Sequence, residues 1–314
     1  MSDDLMTITR MRQLARYAAR EDFQSFLRMV VATVSPGAVF QPNWHLEAIG
    51  AHLAACAKGE VKRLIINMPP RMLKSVTVSV AWPAWLLGHD PKTRIMAASY
   101  AQSLSIKHSL DCRLVVTSPW YQEIFPGTRL THDQNEKEKF VTTKRGHRIA
   151  VSVGGAATGE GGNILIVDDP MNPLQAGQRS LREAANRWFD HTFLTRLDDK
   201  KRGSIVVVMQ RLHPEDLSGH LLHKGGWEVL SLPAIAPRRV VIRCGSFTKE
   251  RAQGEVLHEA REDTKMLEQM KRELGSANFN AQYQQAPVSE EEGVVKLGWF
   301  GRFDLKQFLK EHKA

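Results

Sequence analysis

Between residues 63 and 210 the chain alternates short, nearly unbroken apolar runs with longer amphipathic stretches. The runs RLIINM (63–68), RIMAAS (94–99), HRIAVSV (147–153), NILIVD (163–168) and SIVVVMQ (204–210) are apolar at successive positions, as strands are when a parallel sheet is covered on both faces. The segments 75–87, 100–118 and 176–197 between them are long enough for helices. The succession predicts a wound α/β sheet, to which WEVLSLPA (227–234) adds an edge strand. Upstream, Leu14, Phe23, Phe26, Leu27 and Val30 recur near helical spacing and predict a helix over 5–33; SPGAVFQPNW ends it, and a second helix is expected from His45 to Lys58. Downstream, 236–262 is polar and basic with little periodicity. DTKMLEQMKRELG then predicts a helix capped by Thr264, closed by Gly275, with Leu267, Met270 and Leu274 on one face.

The length of 314 residues suits one large α/β domain, or one with a small appendage, and 42% hydrophobic residues can build its core. A net charge of +9 fits a polyanionic partner, most simply nucleic acid, or else a solvated basic surface. Cys56, Cys112 and Cys244 lie far apart with no CxxC or Cys/His cluster, so a zinc site is not expected and the thiols read as reduced, cytosolic ones. Asp3 and Asp4 precede a mixed-charge segment unlike a signal peptide, and no apolar run approaches the ~20 residues of a membrane span.

Two elements carry chemistry. IINMPPRMLKS leads from a strand into a helix and ends in Lys74 and Ser75, the pair a phosphate-binding loop needs for the β/γ-phosphates and for Mg²⁺. It contains no glycine; Leu73 stands directly before the Lys, where a glycine is usual. ILIVDDP is an apolar strand ending in two acids. Asp168 would hold Mg²⁺ directly or through water, and Asp169 would polarise the attacking water, a place usually held by Glu. Both elements sit where α/β sheets place ligands, at the carboxyl ends of strands.

With these residues in view, the chain resembles the large (motor) subunit of tailed-bacteriophage terminases, the DNA-packaging ATPases. NMPPRMLKS looks like that family's deviant Walker A, and VAWPAWLLGHDPKTRIMAASYAQSLS, SPWYQEIFPG, SVGGAATGEGGNILIVDDP, RWFDHTFLTRL, VVVMQRLHPEDLSGHLL, WEVLSLPAIA and NFNAQYQQAPV follow in family order, over roughly 40–300. The resemblance implies an additional-strand P-loop ATPase with a mostly parallel sheet. It divides the chain into an N-terminal helical segment (1–40), the ATPase core (41–235), a lid or linker subdomain (236–298) and a terminal linker (299–314). It implies ATP and Mg²⁺ as cofactors, with Pro70, Arg71, Met72, Leu73, Lys74, Ser75 and Val76 around the phosphates, Arg71 replacing part of the glycine function, and Ser75 with Asp168 on Mg²⁺. QPNWHLEAI falls where these motors meet adenine and ribose, making Gln41 a candidate reader of the base and Trp44 or His45 its neighbours, unless this is a helix-entry turn with Trp44 in the core. Ser99 and Tyr100 are candidates for γ-phosphate sensing or DNA contact, and Gln210, in a segment like the coupling motif, for a γ-phosphate sensor; Arg211 and His213 are candidates to meet phosphate or a neighbour.

The chain departs from the pattern at Glu160, where relatives often carry Arg, so a trans-acting arginine either is missing or comes from Arg145, Arg148, Arg196 or Arg211. The glycines around it (154, 155, 159, 161 and 162) read as a flexible loop open to DNA or a neighbour, and Trp188 and Phe189 as core. The consecutive acids Glu290, Glu291 and Glu292 do not form the spaced set of a two-metal nuclease, so DNA cleavage is not expected of this chain. The resulting expectation is a motor that packages double-stranded DNA into a capsid, with a portal protein, a terminase small subunit and other copies of itself in a ring as partners, in the cytoplasm of an infected or lysogenic bacterial host. A helicase-like translocase and a catalytically weak DNA-binding or scaffolding module are the alternatives.

Overall fold

The computed structural model describes residues 14–155 and 159–288. The start of the expected first helix (5–13), residues 156–158 of the glycine-rich stretch, Glu290 to Glu292 and the linker at 299–314 lie outside the described residues.

A helical stretch over 14–21, α1 (Phe23–Val34) and α2 (Trp44–Ala57) precede the sheet. The single helix expected over 5–33 is broken at Asp22, whose backbone is extended and whose carboxylate accepts from the Ser25 amide at 2.7 Å. An aspartate able to cap is enough to restart a helix there. The strands are β1 (Arg63–Asn67), β2 (Arg94–Ser99), β3 (Leu130–Asn135), β4 (Lys139–Thr142), β5 (His147–Ser152), β6 (Ile164–Asp168), β7 (Ser204–Met209) and β8 (Glu228–Ser231). They form one sheet in the order β3-β4-β5-β2-β6-β7-β1-β8. From β5 to β8 every pairing is parallel, and β3 and β4 extend the sheet as an antiparallel end. The protein is therefore α/β, with a mostly parallel sheet in which β7 is inserted between β1 and β6, the additional-strand arrangement of P-loop NTPases.

The apolar runs are explained by two cores, one on each face. Leu64, Ile66, Ile95, Ala97, Ile166, Val206 and Val208 pack with α1, α2 and the helices α3 (Trp82–His89) and α4 (Gln102–Thr117). Their alternating neighbours Ile65, Met96, Ala98, Leu165, Val167, Ile205 and Val207 pack with Trp188, Phe189 and Phe193, and with Leu217 and Leu221 of a helix on the other face. Trp188 and Phe189 are core, as expected. The helices on this second face are α6 (Arg179–Trp188) and α7 (Leu217–Lys224); α5 (Pro119–Ile124) follows α4 directly.

The polar segment after 235 holds structure that periodicity did not signal: an antiparallel hairpin, β9 (Val240–Cys244) and β10 (Phe247–Arg251). The helix expected to close at Gly275 instead continues as α8 (Thr264–Gln282), kinked where Gly275 takes φ 77°, ψ 156°. The hairpin lies against α2: Lys249 and Arg251 place their charges 5.5 and 5.3 Å from the Trp44 ring, and the Asn43 amide donates to the Leu257 carbonyl at 3.0 Å. This segment therefore stands beside the residues that enter α2.

Candidate active site

The parallel strands end together, and the two sequence elements meet there. β1 runs out at Asn67 and the chain turns through 68–75 into a π-helical stretch, Val76–Ala81, which continues as α3. Five non-glycine residues have positive φ among the described residues, and three lie in this site: Arg71 at 62°, Leu73 at 61° and Asp169 at 45°. Leu73 thus occupies the glycine place and adopts the glycine backbone, at about 1–2 kcal/mol for an L-residue. Packing supports the strained turn. Met72 is buried in the core, the Leu73 carbonyl accepts from both the amide and the hydroxyl of Thr77 at 2.9 Å, and the Met68 amide donates to the Met209 carbonyl at 3.2 Å. His45 Nε2 lies 3.4 Å from the Met72 carbonyl. Burial and the neighbouring His258 lower the His45 pKa to about 4, so its ring is neutral.

Lys74 is buried, and its Nζ pairs with Asp169 Oδ2 at 2.9 Å. The Ser75 hydroxyl donates to Asp168 Oδ1 at 3.0 Å, and one helical turn later Ser79 donates to Oδ2 at 2.6 Å. Asp168 is 1% exposed. Burial pushes its carboxyl up, and Lys74, Ser79, Ser75 and Arg148 act against that push. Asp169 keeps 23% of its side chain open to solvent. Burial raises its pKa too, opposed by Lys74 and reinforced by Asp168. Its other oxygen faces the Gln210 amide at 3.4 Å, and its carbonyl accepts from the Tyr100 amide at 3.1 Å. Gln210 is buried, and its Oε1 has no hydrogen-bond partner.

The expected site residues therefore fall into two groups. Lys74, Ser75, Asp168, Asp169 and Gln210 converge within direct contact of one another or of a shared partner. Pro70 and Val76 are half-buried on the loop and its exit, whereas Arg71 projects into solvent. Gln41 is exposed just ahead of α2, where its backbone meets the His258 ring. Ser99 is buried, with its carbonyl taken by the Val153 amide at 2.9 Å. Ser79 and His108 belong to the site and were not anticipated, and Arg148, expected only as a candidate trans-acting arginine, joins them. Ser79 was legible as a second hydroxyl four residues after Ser75; the other two come from separate elements.

The donor set suits a hard cation. Asp168 Oδ1 and the Ser75 hydroxyl are oxygens 3.0 Å apart, and Mg²⁺ characteristically takes one or two protein oxygens with substrate phosphates and water. No group of three or more His, Cys, Asp or Glu able to hold a metal exists among the described residues.

Several expectations for the basic residues need correction. Arg211 is tied into the fold: its Nε donates to both oxygens of buried Asp216 at 3.0 Å, and its terminal nitrogen to the carbonyls of His213 and Pro214. Arg148 is wholly buried and donates to the Ser79 carbonyl at 3.1 Å, so it cannot reach a neighbouring subunit. Arg145, in the β4–β5 turn, and Arg196, whose carbonyl accepts from the Gly162 amide ahead of β6, lie at the amino-terminal ends of the strands, away from this chain's own site, which leaves their expected role towards a neighbour as it was. Glu160 pairs with Lys139 at 2.5 Å. Gly161 is a packing glycine: a Cβ there would stand 2.2 Å from Asp198 Oδ1 and 2.8 Å from the Arg196 carbonyl.

No protein-family model and no curated protein sequence matches the chain. Among solved structures, the Thermus phage P74-26 large terminase ATPase domain is similar at TM-score 0.49 and 11% identity, over 80% of this chain and 100% of that one. The HK97 bacteriophage large terminase is similar at TM-score 0.39 and 15% identity, over 65% and 43%. A large terminase from a thermophilic bacteriophage, in complex with ATP-gamma-S, is similar at TM-score 0.42 and 10% identity, over 60% and 44%. The matched part thus spans about half the length of the large terminases. No helix among the described residues is long and apolar enough to cross a membrane.

Proposed function

We propose that the chain hydrolyses ATP and uses the energy to move double-stranded DNA into a capsid, as the motor part of a terminase large subunit. One observation carries the reading: Lys74 and Ser75 at the end of β1 touch Asp169 and Asp168 at the end of β6, across the inserted strand β7.

The Lys74–Asp169 pair is the resting arrangement. When phosphate enters the loop, the backbone amides of 71–75 and the Lys74 ammonium turn to its oxygens, and Arg71 swings in from solvent to add a planar, bidentate contact. Lys74 thereby releases Asp169, whose partly open carboxylate accepts a hydrogen bond from water and aligns it. Asp168 and Ser75 are the groups that would hold Mg²⁺, which supplies charge neutralisation across the β- and γ-phosphates. Gln210, with its amide on Asp169 and an unpartnered buried oxygen, is the group that would register the γ-phosphate. The charge of +9 supports a DNA partner. The portal protein, the terminase small subunit and ring formation by further copies complete the proposal, and an arginine from a neighbouring copy would raise turnover.

The test is ATP turnover by the purified chain with and without duplex DNA. Lys74→Ala should lower the rate by ~10²–10³ through loss of the charge placed on the phosphates. Asp169→Asn should keep Mg·ATP binding and stop turnover, because the amide preserves shape without the charge that aligns water. Wild-type rates in the Lys74 variant would rule out a phosphate loop. Lost binding with surviving turnover in the Asp169 variant would reverse the assigned roles of the two aspartates.

A further inference from the structure

The carboxylate of Asp168 is gripped on both oxygens, and only one grip belongs to the phosphate loop. Oδ1 accepts from Ser75. Oδ2 accepts from Ser79 at 2.6 Å and lies 3.5 Å from His108 Nδ1 on α4. Ser79 is fully buried, and its own carbonyl is held by the guanidinium of Arg148, fully buried as well. His108 is buried, with Nδ1 of its ring turned to the carboxylate. The π-helical winding of Val76–Ala81 brings Ser79 to the same carboxylate as Ser75. Such winding recurs at functional sites.

We propose that Ser79 and His108 are positioning residues that lock the rotation of Asp168, so that Oδ1 and the Ser75 hydroxyl present one fixed pair of oxygens to Mg²⁺. The inference rests on the nucleotide reading above and adds two residues to it. A free carboxylate at the end of a strand can rotate about its terminal bond, and each rotation moves the metal-facing oxygen. Here Oδ2 is engaged from two sides, by the helix after the phosphate loop and by α4, and Arg148 fixes the backbone of the first. Partners behind a metal ligand typically change metal affinity by 10–100-fold when removed.

The experiment is equilibrium binding of a fluorescent, slowly hydrolysed ATP analogue to the whole chain, titrated with Mg²⁺ from zero, beside thermal melting of each variant. Ser79→Ala should raise the Mg²⁺ concentration for half-saturation about tenfold, and leave metal-free nucleotide affinity within about twofold of wild type. His108→Leu should shift the Mg²⁺ requirement in the same direction, while His108→Asn, which keeps an N–H near the same place, should stay within about threefold of wild type. The His108 pair carries the test if Ser79→Ala does not fold. An unchanged Mg²⁺ requirement in Ser79→Ala or His108→Leu overturns the inference, as does a loss that appears equally without metal. Wild-type chain that binds the analogue with no response to Mg²⁺, or not at all, overturns the nucleotide reading itself; a wild-type Mg²⁺ response that both variants share overturns only the roles of Ser79 and His108.

Discussion

Arg71 is an exposed residue in a left-handed backbone, φ 62°, which lets its chemistry be separated from its strain. Replacing it by glycine removes the steric cost of an L-residue there, about 1–2 kcal/mol. Glycine also gives the unfolded chain more freedom, which costs about 0.5–1 kcal/mol. Being exposed, Arg71 loses little packing, so the net expectation is about 0.5–1 kcal/mol of added stability, a rise of about 1–3 °C in melting temperature. Arg71→Ala keeps the left-handed strain and should melt within about 1 °C of wild type. Both variants lose the guanidinium equally, so both should bind ATP more weakly, by the about 1.5–3 kcal/mol typical of a hydrogen bond to a charged group. Scanning fluorimetry without nucleotide, and again with ATP and Mg²⁺, reads both effects. Identical melting of the glycine and alanine variants would refute the strain argument, and undiminished ATP stabilisation in both would remove Arg71 from the phosphate site.

Other outcomes follow from the same structure. His45 has a folded pKa of about 4 against 6.5 unfolded, so the unfolded chain takes up the proton first. Stability from this residue is full above pH 6.5 and is lost as pH falls towards 4, at no more than about 1.4 kcal/mol per pH unit. Asp168 and Asp169, raised by burial, act in the opposite sense, so the contrast between wild type and His45→Gln in denaturant titrations at pH 7 and pH 5 isolates the histidine. A slope unchanged by the substitution would place the proton elsewhere. Duplex DNA binding should weaken steeply with salt, because phosphate contacts release counterions, and turnover per chain should rise with protein concentration if a neighbour completes the site. A monomer by sedimentation whose fast turnover is constant across concentrations would count against completion in trans.

The strands were legible because both faces of the sheet are buried: each of β1, β2, β5, β6 and β7 lies inside a run chosen on apolarity alone. The antiparallel end was not. β3 reads LTHDQN, with four of its six residues exposed, so no hydrophobic pattern marks it. The β9–β10 hairpin was missed for another reason: β9 reads VVIRC, a short run set in polar, basic sequence, with its two valines exposed. Helix limits moved wherever a local bond outweighed periodicity, at the Asp22 cap and at the π-helical stretches Val76–Ala81 and Phe189–Phe193. In the site, the paired elements carried Lys74, Ser75, Asp168 and Asp169 on type and spacing. Arg211 was misread because its partner Asp216, only five residues on, competes for the guanidinium. His108 and Arg148 reach Asp168 through tertiary packing, which no spacing reveals.

The insertion of β7 beside β1 sets an order on synthesis. β2 finds its partner β5 within the next fifty or so residues, but β1 pairs on one side with β7 and on the other with β8, as in Leu64 opposite Val206 and Glu228. The strand that bears the phosphate loop therefore leaves the ribosome early and stays without a neighbour until residues beyond 200 emerge. At about 5–20 residues per second that is a wait of roughly 7–28 s, during which an apolar strand ending in a strained turn is exposed to wrong pairings. The site is thus the last part of the sheet to close, and a nascent chain stopped before residue 204 has its Lys74 and its Asp168 but no strand between them to hold them together.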